Sequence, residues 1–410
     1  MKNCLRVALI ASAALVPTSA YAETAKLKPI VEARLRYENV DQDGILREAD
    51  ALTLRMRAGF EIKKGDFAVL AEGEATLALS ERYNSGLNGN TAFPIVADPE
   101  TVEINRIQLQ YTGIPKTVIT AGRQRINLDD QRFVGTVLWR QNEQTFDAAR
   151  VEYSGIKNVK ADLTYAWSTR PIWGSEGFGA RQRAIGGDNV FANLSYKAKT
   201  WGLTGFAYLV DQDEAAVQNF RNSSQTFGVR GNANLPIGKA KLGLIASYAR
   251  QSDLNRNPND YGADYLLGEA TLGIKDFKLT AGYEVLGADA GVAFTSFQTP
   301  LATLHKFNGF ADKFLTTPPN GIRDLYLGAG YNFTKFKTLP GLNLNIMWHQ
   351  YKSDRLDQKY GDEWNVVGGF KIGKKISLLA KYANYNRSGA ANFAGDVDTE
   401  KYWVQLDYAL

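Results

Sequence analysis

The sequence predicts an all-β protein of the transmembrane up-and-down antiparallel β-barrel class, with about 18 strands. Three observations carry that expectation. Segments of about ten residues alternate apolar and polar positions, the period of strands with one apolar and one wet face. The connections between segments alternate short and long, as periplasmic turns and extracellular loops do in outer-membrane barrels. Tyr and Trp gather near segment ends (Tyr37, Tyr111, Tyr153, Trp167, Tyr196, Trp201, Tyr283, Trp348, Tyr408), where interfacial aromatic girdles belong.

The first element is of another kind. Lys2 and Arg6 precede the apolar run 7–16, and Ala20-Tyr21-Ala22 is the small-x-small pattern that a signal peptidase cuts. Residues 1–22 are therefore expected to be a secretory signal peptide, and residues 23–410 the barrel with its long extracellular loops. A bilayer-crossing helix takes roughly 20 apolar residues, and this run, the longest in the chain, is shorter. Cys4 is the sole cysteine. It sits too early for lipoprotein acylation and departs with the signal, so a disulfide scaffold is excluded.

From Val31 the alternation begins. Val31, Ala33, Leu35 and Tyr37 face one way, and Glu32, Arg34, Arg36 and Glu38 the other. Leu52, Leu54, Met56, Ala58 and Phe60 then oppose Thr53, Arg55, Arg57 and Glu61; Phe67, Val69, Ala71 and Ala75 oppose Glu72 and Glu74. The same pattern recurs through 159–167, 325–333, 342–348 and 402–410, eighteen segments in all. Eight connections are short, near 63–66, 112–116, 155–160, 197–201, 236–241, 275–278, 334–341 and 373–375. Nine are longer, including 81–100, 126–143, 169–188 and 288–322. A soluble sandwich also buries one strand face, but its Greek-key connections would not sort by length. In a membrane barrel the apolar face meets lipid and the charged face lines the lumen. Closure leaves no open edge, and a barrel this wide holds an aqueous channel. The chain ends Tyr408-Ala409-Leu410, without the terminal aromatic usual in this class.

Charge is distributed unevenly. The eight turns hold fifteen lysines against Asp66 and Asp276, whereas the nine loops carry 21 acids and 15 bases. The periplasmic rim is basic and the outer mouth acidic. Such a ring either concentrates an anionic solute at the periplasmic entrance or keeps the turns soluble. Sixteen bases against twenty acids in the strands and N-terminus exclude a uniformly positive lumen, so selectivity has to be set locally, at a constriction.

After signal removal only His305 and His349 remain as histidines, which leaves few routes to triads or zinc sites. The best catalytic nuclei would be His305 with Asp312, or Glu72 with Glu74, and neither comes with a G-x-S-x-G nucleophile motif. The expectation is no enzyme. No phosphate loop or metal-ligand spacing is present, so no cofactor, metal or nucleic-acid partner is expected.

Two stretches depart from the barrel rhythm. AGRQRINLDDQRFVG (121–135), continuing to WRQNEQTFDAAR (139–150), packs five arginines and four acids into thirty residues. Planar Arg forks pair with carboxylates in fixed geometry. Asp129, Asp130 and Asp147 would thus either brace arginines that point into a pore or tether the loop inward. TPLATLHKFNGFADKFLTTP (299–318) offers Thr299 as a helix cap, Pro300 at the first helical position, Leu301 and Leu304 on one face, and Gly309 as a break. It reads as a loop folded onto or into the mouth as a gate, or as an extracellular cap.

Both segments closely resemble those of the alginate-export family of outer-membrane barrels, and the similarity runs through most of the mature chain. The resemblance implies an eighteen-stranded barrel in the Gram-negative outer membrane, amid lipids and lipopolysaccharide. Its Arg- and Lys-lined constriction would pass an anionic polyuronate outward, with a periplasmic export partner. On that footing Arg123, Arg125, Asp129, Arg132, Arg140 and Arg150 are candidates for the selective lining, and Lys306 and Lys313 for the gating loop. The alternative is an uptake porin for small anionic or sugar-acid nutrients, motivated by the mixed strand charge. A structural or adhesion barrel would show no conductance.

Overall fold

The computed structural model describes residues 24–336, 338–390 and 393–410; the expected signal peptide lies outside them. Eighteen antiparallel strands form one closed sheet. They are β1 (Lys26–Gln42), β2 (Ala49–Lys64), β3 (Phe67–Ala78), β4 (Thr101–Tyr111), β5 (Thr117–Gln124), β6 (Thr145–Tyr153), β7 (Val159–Arg170), β8 (Ile185–Lys197), β9 (Trp201–Val210), β10 (Ser224–Ile237), β11 (Ala240–Asp253), β12 (Gly262–Ile274), β13 (Phe277–Leu286), β14 (Ile322–Asn332), β15 (Asn343–Lys352), β16 (Lys359–Ile372), β17 (Ile376–Arg387) and β18 (Thr399–Ala409). Each strand pairs with its sequence neighbours, and β1 pairs with β18 from Glu32↔Ala409 to Gln42↔Thr399 to close the ring.

The faces follow the alternation. Leu35 and Tyr37 of β1 are exposed on the outward row, while Arg34, Arg36 and Glu38 are buried on the inward row. Arg55 and Arg57 of β2 and Glu72 and Glu74 of β3 are likewise inward and buried. Tyr196 and Trp201 (5.3 Å between ring centroids) and Phe67 and Tyr111 (4.8 Å) pair at the short-turn end, as an interfacial girdle requires.

A barrel of this circumference cannot fill its interior with wall side chains alone. Loops 125–144 and 287–321 fold inward and fill it. Ile126, Leu128, Val134, Phe297, Leu301 and Phe314 are buried against inward aromatics of the wall, among them Phe206, Tyr208, Tyr265 and Tyr351. The apolar core therefore lies inside the lumen. The expected helix at Thr299 does not form. Leu301 bridges Val134 in parallel and its carbonyl accepts from Gly135 N at 2.9 Å and Gln144 Nε2 at 3.0 Å, which commits the backbone to the other loop. A single 3₁₀ turn, Leu304–Lys306, remains.

Leu327 stands mid-strand on the outward row of β14, opposite Ala281 and Trp348. Leu327→Arg is expected to lower stability in lipid vesicles by about 2–4 kcal/mol, the depth-dependent cost of Arg in hydrocarbon. Thr271→Lys, on the inward row of β12, should change it by less than about 1 kcal/mol. Equilibrium urea unfolding of the two variants checks the face assignment.

Candidate functional site

Loop 125–144 is held to one wall by charge. The carbonyls of its tip turn toward β1: Arg34 Nη1 donates to Leu138 O at 2.9 Å and Trp139 O at 3.1 Å, and Arg36 also donates to Trp139 O. Gln141 N donates to Asp98 Oδ1 (2.9 Å) and Asn105 Nδ2 to Glu143 Oε1 (2.5 Å). Arg125 grips Glu143 at 2.6 Å, and Arg57 Nη2 lies 3.5 Å from the same carboxylate while binding Glu74 with its Nε. Buried carboxylates and guanidiniums that would be costly alone are stable here because each faces an opposite charge.

The two loops are stitched together. Arg132, fully buried, donates to Glu284 of β13 (2.7 Å), Thr299 Oγ1 (3.1 Å) and Asn308 Oδ1 (3.0 Å). Thr303 Oγ1 donates to Gln131 Oε1 (2.7 Å), and Lys306 Nζ to Asp130 O (2.7 Å). On the far side Ala311 N donates to Glu363 Oε1 (2.8 Å) and Phe310 N to Asn365 Oδ1 (2.7 Å). Segment 305–312 thus crosses the lumen as a septum. Gly309 sits in it at φ +85°, where a Cβ would lie 2.3 Å from both Glu363 Oε2 and the Tyr351 hydroxyl. No residue with a side chain fits.

Asp312 is the hub. Its carboxylate accepts from Arg140 Nη2 (3.2 Å), Lys401 Nζ (3.2 Å) and His305 Nδ1 (2.8 Å). Burial opposes its charge, but His305, Lys401 and Arg140 outweigh it and hold the carboxyl below the usual range. Burial likewise works against Arg140, yet Glu38, Asp98 and Asp312 keep its guanidinium above its ordinary value. For His305, burial dominates over Asp312, with Lys381 adding to it, and the ring is pushed down to about 3. Neutral His305 donates a hydrogen bond from Nδ1–H to Asp312 and accepts one at Nε2 from Lys381 Nζ (3.0 Å), the tautomer that an acceptor-only carboxylate requires. The imidazole stacks on Trp139 at 4.4 Å, and Lys381 Nζ sits 3.7 Å from that indole and 3.8 Å from Phe310.

The septum separates two chambers. Outside it lies a vestibule of about 600 Å³ with apolar walls (Phe93, Ile95, Ile172, Trp173, Leu304, Leu315) and a basic lining of Arg140, Arg181, Lys313 and Lys401 around Asp312. Burial, then the nearby Lys401, push Lys313 down to about 8. Inside it is a chamber of about 310 Å³ bounded by Lys306, Phe307, Phe310, Arg230, Glu269, Asp324 and Tyr326. A further cavity of about 400 Å³ near the periplasmic end is lined by Asn232, Asn234, Lys241, Thr271, Lys275 and Lys278.

The eight sequence candidates are therefore dispersed. Arg140 and Lys313 share the vestibule, and Lys306 faces the inner chamber. Arg125 and Arg132 are engaged in docking, Arg150 pairs with Asp162 at 2.5 Å on the inward wall, and Asp129 accepts from Asn193 (2.9 Å). Arg123 corrects the pore-lining expectation. It stands on the outward row opposite the exposed Ile107 and binds Asp147 at 2.8 Å, which also holds Arg170. The family resemblance offered Arg123 and Arg125 together, but β5 ends at Gln124 and only Arg125, in the loop, turns inward. Reading along the chain missed Lys381, Lys401, Arg181 and Trp139, whose partners come from distant strands and loops.

Asp312→Asn removes the charge that three donors share. Breaking a buried ionic hub costs about 3–5 kcal/mol locally, so the septum should loosen. The expected outcome in planar bilayers is higher, noisier single-channel conductance, with faster protease cleavage within 287–321; unchanged traces would show that the septum does not depend on this hub. Gly309→Ala is expected to act in the same direction.

The family model described as alginate export matches residues 30–237, half of the chain. No curated protein sequence matches. Among solved structures, Pseudomonas aeruginosa OccK9 (OpdG) is 15% identical with a TM-score of 0.73 over 96% of this chain and 100% of that one. Acinetobacter baumannii OccAB4 is 14% identical with a TM-score of 0.72 over 94% and 98%. Pseudomonas aeruginosa OpdK, solved with vanillate, is 14% identical with a TM-score of 0.66 over 93% and 98%. At these identities the likeness is one of fold, shared across porin-type barrels. The closed eighteen-stranded sheet, the inward loops and the match over half its length together place this chain in the outer membrane as a porin-like barrel, and it belongs to the alginate-export family.

Proposed function

We propose that the protein is an outer-membrane uptake channel for small organic anions, selecting a carboxylate carried on a compact apolar or aromatic body. The observation that carries this reading is the vestibule: apolar and aromatic walls around a cluster of Arg140, Lys313 and Lys401, above a septum that crosses the lumen. Apolar walls lower the local dielectric and strengthen the pull of the basic groups on a carboxylate, while the ring of a flat solute packs against Trp173, Ile172 and Phe93. Beyond the septum, Lys306 and Arg230, then Lys241, Lys275 and Lys278, continue a series of cationic positions toward the periplasm. The vanillate held by OpdK, a barrel of similar fold, is a solute of this chemical class.

The family match supports a second reading, outward passage of a polyuronate. A polymer chain would have to thread past the septum, which the hydrogen bonds to Glu363, Asn365, Gln131 and Asp130 hold in place. A small solute needs only a local opening, and this favours the first reading.

Reversal potential in a salt gradient, followed by current block with vanillate added on the extracellular side, tests the proposal. Anion selectivity and vanillate block are expected, with Lys313→Met weakening block about tenfold, or ~1.4 kcal/mol. Cation selectivity, or block by polymannuronate alone, would sink it. The pH dependence follows from Lys313. Its ammonium is charged below about 8 and neutral above, so vanillate block should weaken as pH rises through 8 and should lose that step in Lys313→Met.

A further inference from the structure

The lysine-rich periplasmic rim plays no part in the vestibule, and it coincides with a second feature of the outward surface. On the row Leu344↔Gly368↔Ala380↔Val404 the two central positions carry little or no side chain. Flanked by Val366, Leu378 and Tyr382, they leave a dent of about 470 Å³ in the lipid-facing wall. A second dent, about 540 Å³, lies across β7–β9. There Ala192, Gly205 and Ala207 sit among Leu163 and Leu194.

Both dents stand above a basic turn. Lys374 and Lys375 close β16 onto β17, five residues from Ala380; Lys197 and Lys199 flank the turn from β8 to β9, five residues from Ala192. Five strand residues span roughly 17 Å, and at a strand tilt of about 40° the dents sit roughly 13 Å deep. That is within the leaflet half of a hydrocarbon core about 30 Å thick. All four lysines are exposed, and none forms an ion pair among the described residues.

We infer that each dent with its turn is a binding site for an anionic phospholipid of the periplasmic leaflet, one acyl chain in the dent and the phosphate between the lysines. Charge complementarity identifies the occupant: the turns are strongly basic while the opposite, extracellular loops carry more acids than bases. A polybasic segment at a leaflet surface attracts anionic headgroups in proportion to its lysines. The dent adds a shape requirement that a merely soluble turn lacks.

The test uses the full mature chain, reconstituted in phosphatidylethanolamine vesicles containing a minor fraction of phosphatidylglycerol, released in mild detergent and weighed by native mass spectrometry. Phosphatidylglycerol is expected to be retained several-fold over its share. Lys374→Gln/Lys375→Gln combined with Lys197→Gln/Lys199→Gln should abolish that preference, and Ala380→Leu, which fills the first dent, should reduce retention of both lipids. The reversal potential should stay unchanged in all of these. Equal retention of the two lipids by the wild type, or a preference that survives the lysine substitutions, overturns the inference. So does a shifted reversal potential with lipid retention intact, which would assign the lysines to the permeating solute. Brominated lipids give a readout that needs no lysine variant. Their quenching of Trp201, isolated by difference from Trp201→Phe, should be stronger for the phosphatidylglycerol form, and equal quenching overturns the inference as well.

Discussion

A membrane barrel cannot leave backbone amides unpaired in hydrocarbon, and the pairing of β1 with β18 over eleven residue pairs satisfies this constraint. Everything else in the molecule follows from the circumference that this closure fixes. Eighteen strands make a lumen too wide for side chains to fill, so chain segments have to enter it, and polar wall residues have to bind them. The inward row of β1–β4 answers with alternating guanidiniums and carboxylates: Arg34 and Arg36 take carbonyls of loop 125–144, Glu38 and Arg57 take its Arg140 and Glu143 side chains, and Asp98, just before β4, takes the Gln141 amide. The lumenal charge that the sequence shows as a near-balance of signs is mostly structural: it positions a loop.

That division of labour shapes the path. One wall is densely charged and occupied by the docked loop. The wall formed by β10–β12 carries Asn232, Asn234, Ile245 and Thr271 with only a few charges, and the cavities open along it. The cationic groups left for a solute are few and local. Arg140 and Lys401 are shared with Asp312, while among the described residues Lys313 donates to Thr399 Oγ1 alone. On the proposed reading, discrimination rests on a small number of groups in a partly apolar vestibule rather than on a broad positive field, in keeping with a solute of limited size.

The barrel was legible in the sequence because the contrast between lipid and water acts on each residue locally, at period two. Strand number, turn lengths and the facing of Leu35 against Arg36 all derive from that one rule. The two loop motifs were also legible as departures from it, since a run such as Arg123 to Arg150 has no place in an alternating wall. Their partners were not legible. Arg36 meets Asp98 and Trp139 from loops remote in sequence, and Lys381 meets His305 from a strand 76 positions away; nothing local to Lys381 distinguishes it from Lys371. Phe206, Tyr208 and Tyr265 face inward against the period-two expectation because the plug supplies an apolar partner there. The loss of the helix at Leu301 has the same origin, a bond to a loop remote in sequence.

The bridge between Val134 and Leu301 joins residues on opposite sides of eight intervening strands and their turns. Contacts at such separation cost more loop-closure entropy while the intervening chain is unordered, so prior pairing of the strands favours them. An assembly order in which the strands pair first passes through a stage in which the wall is complete and the lumen still unobstructed. For the cell that stage is a transient leak, and the speed with which the two loops meet sets how long the membrane tolerates each newly inserted copy.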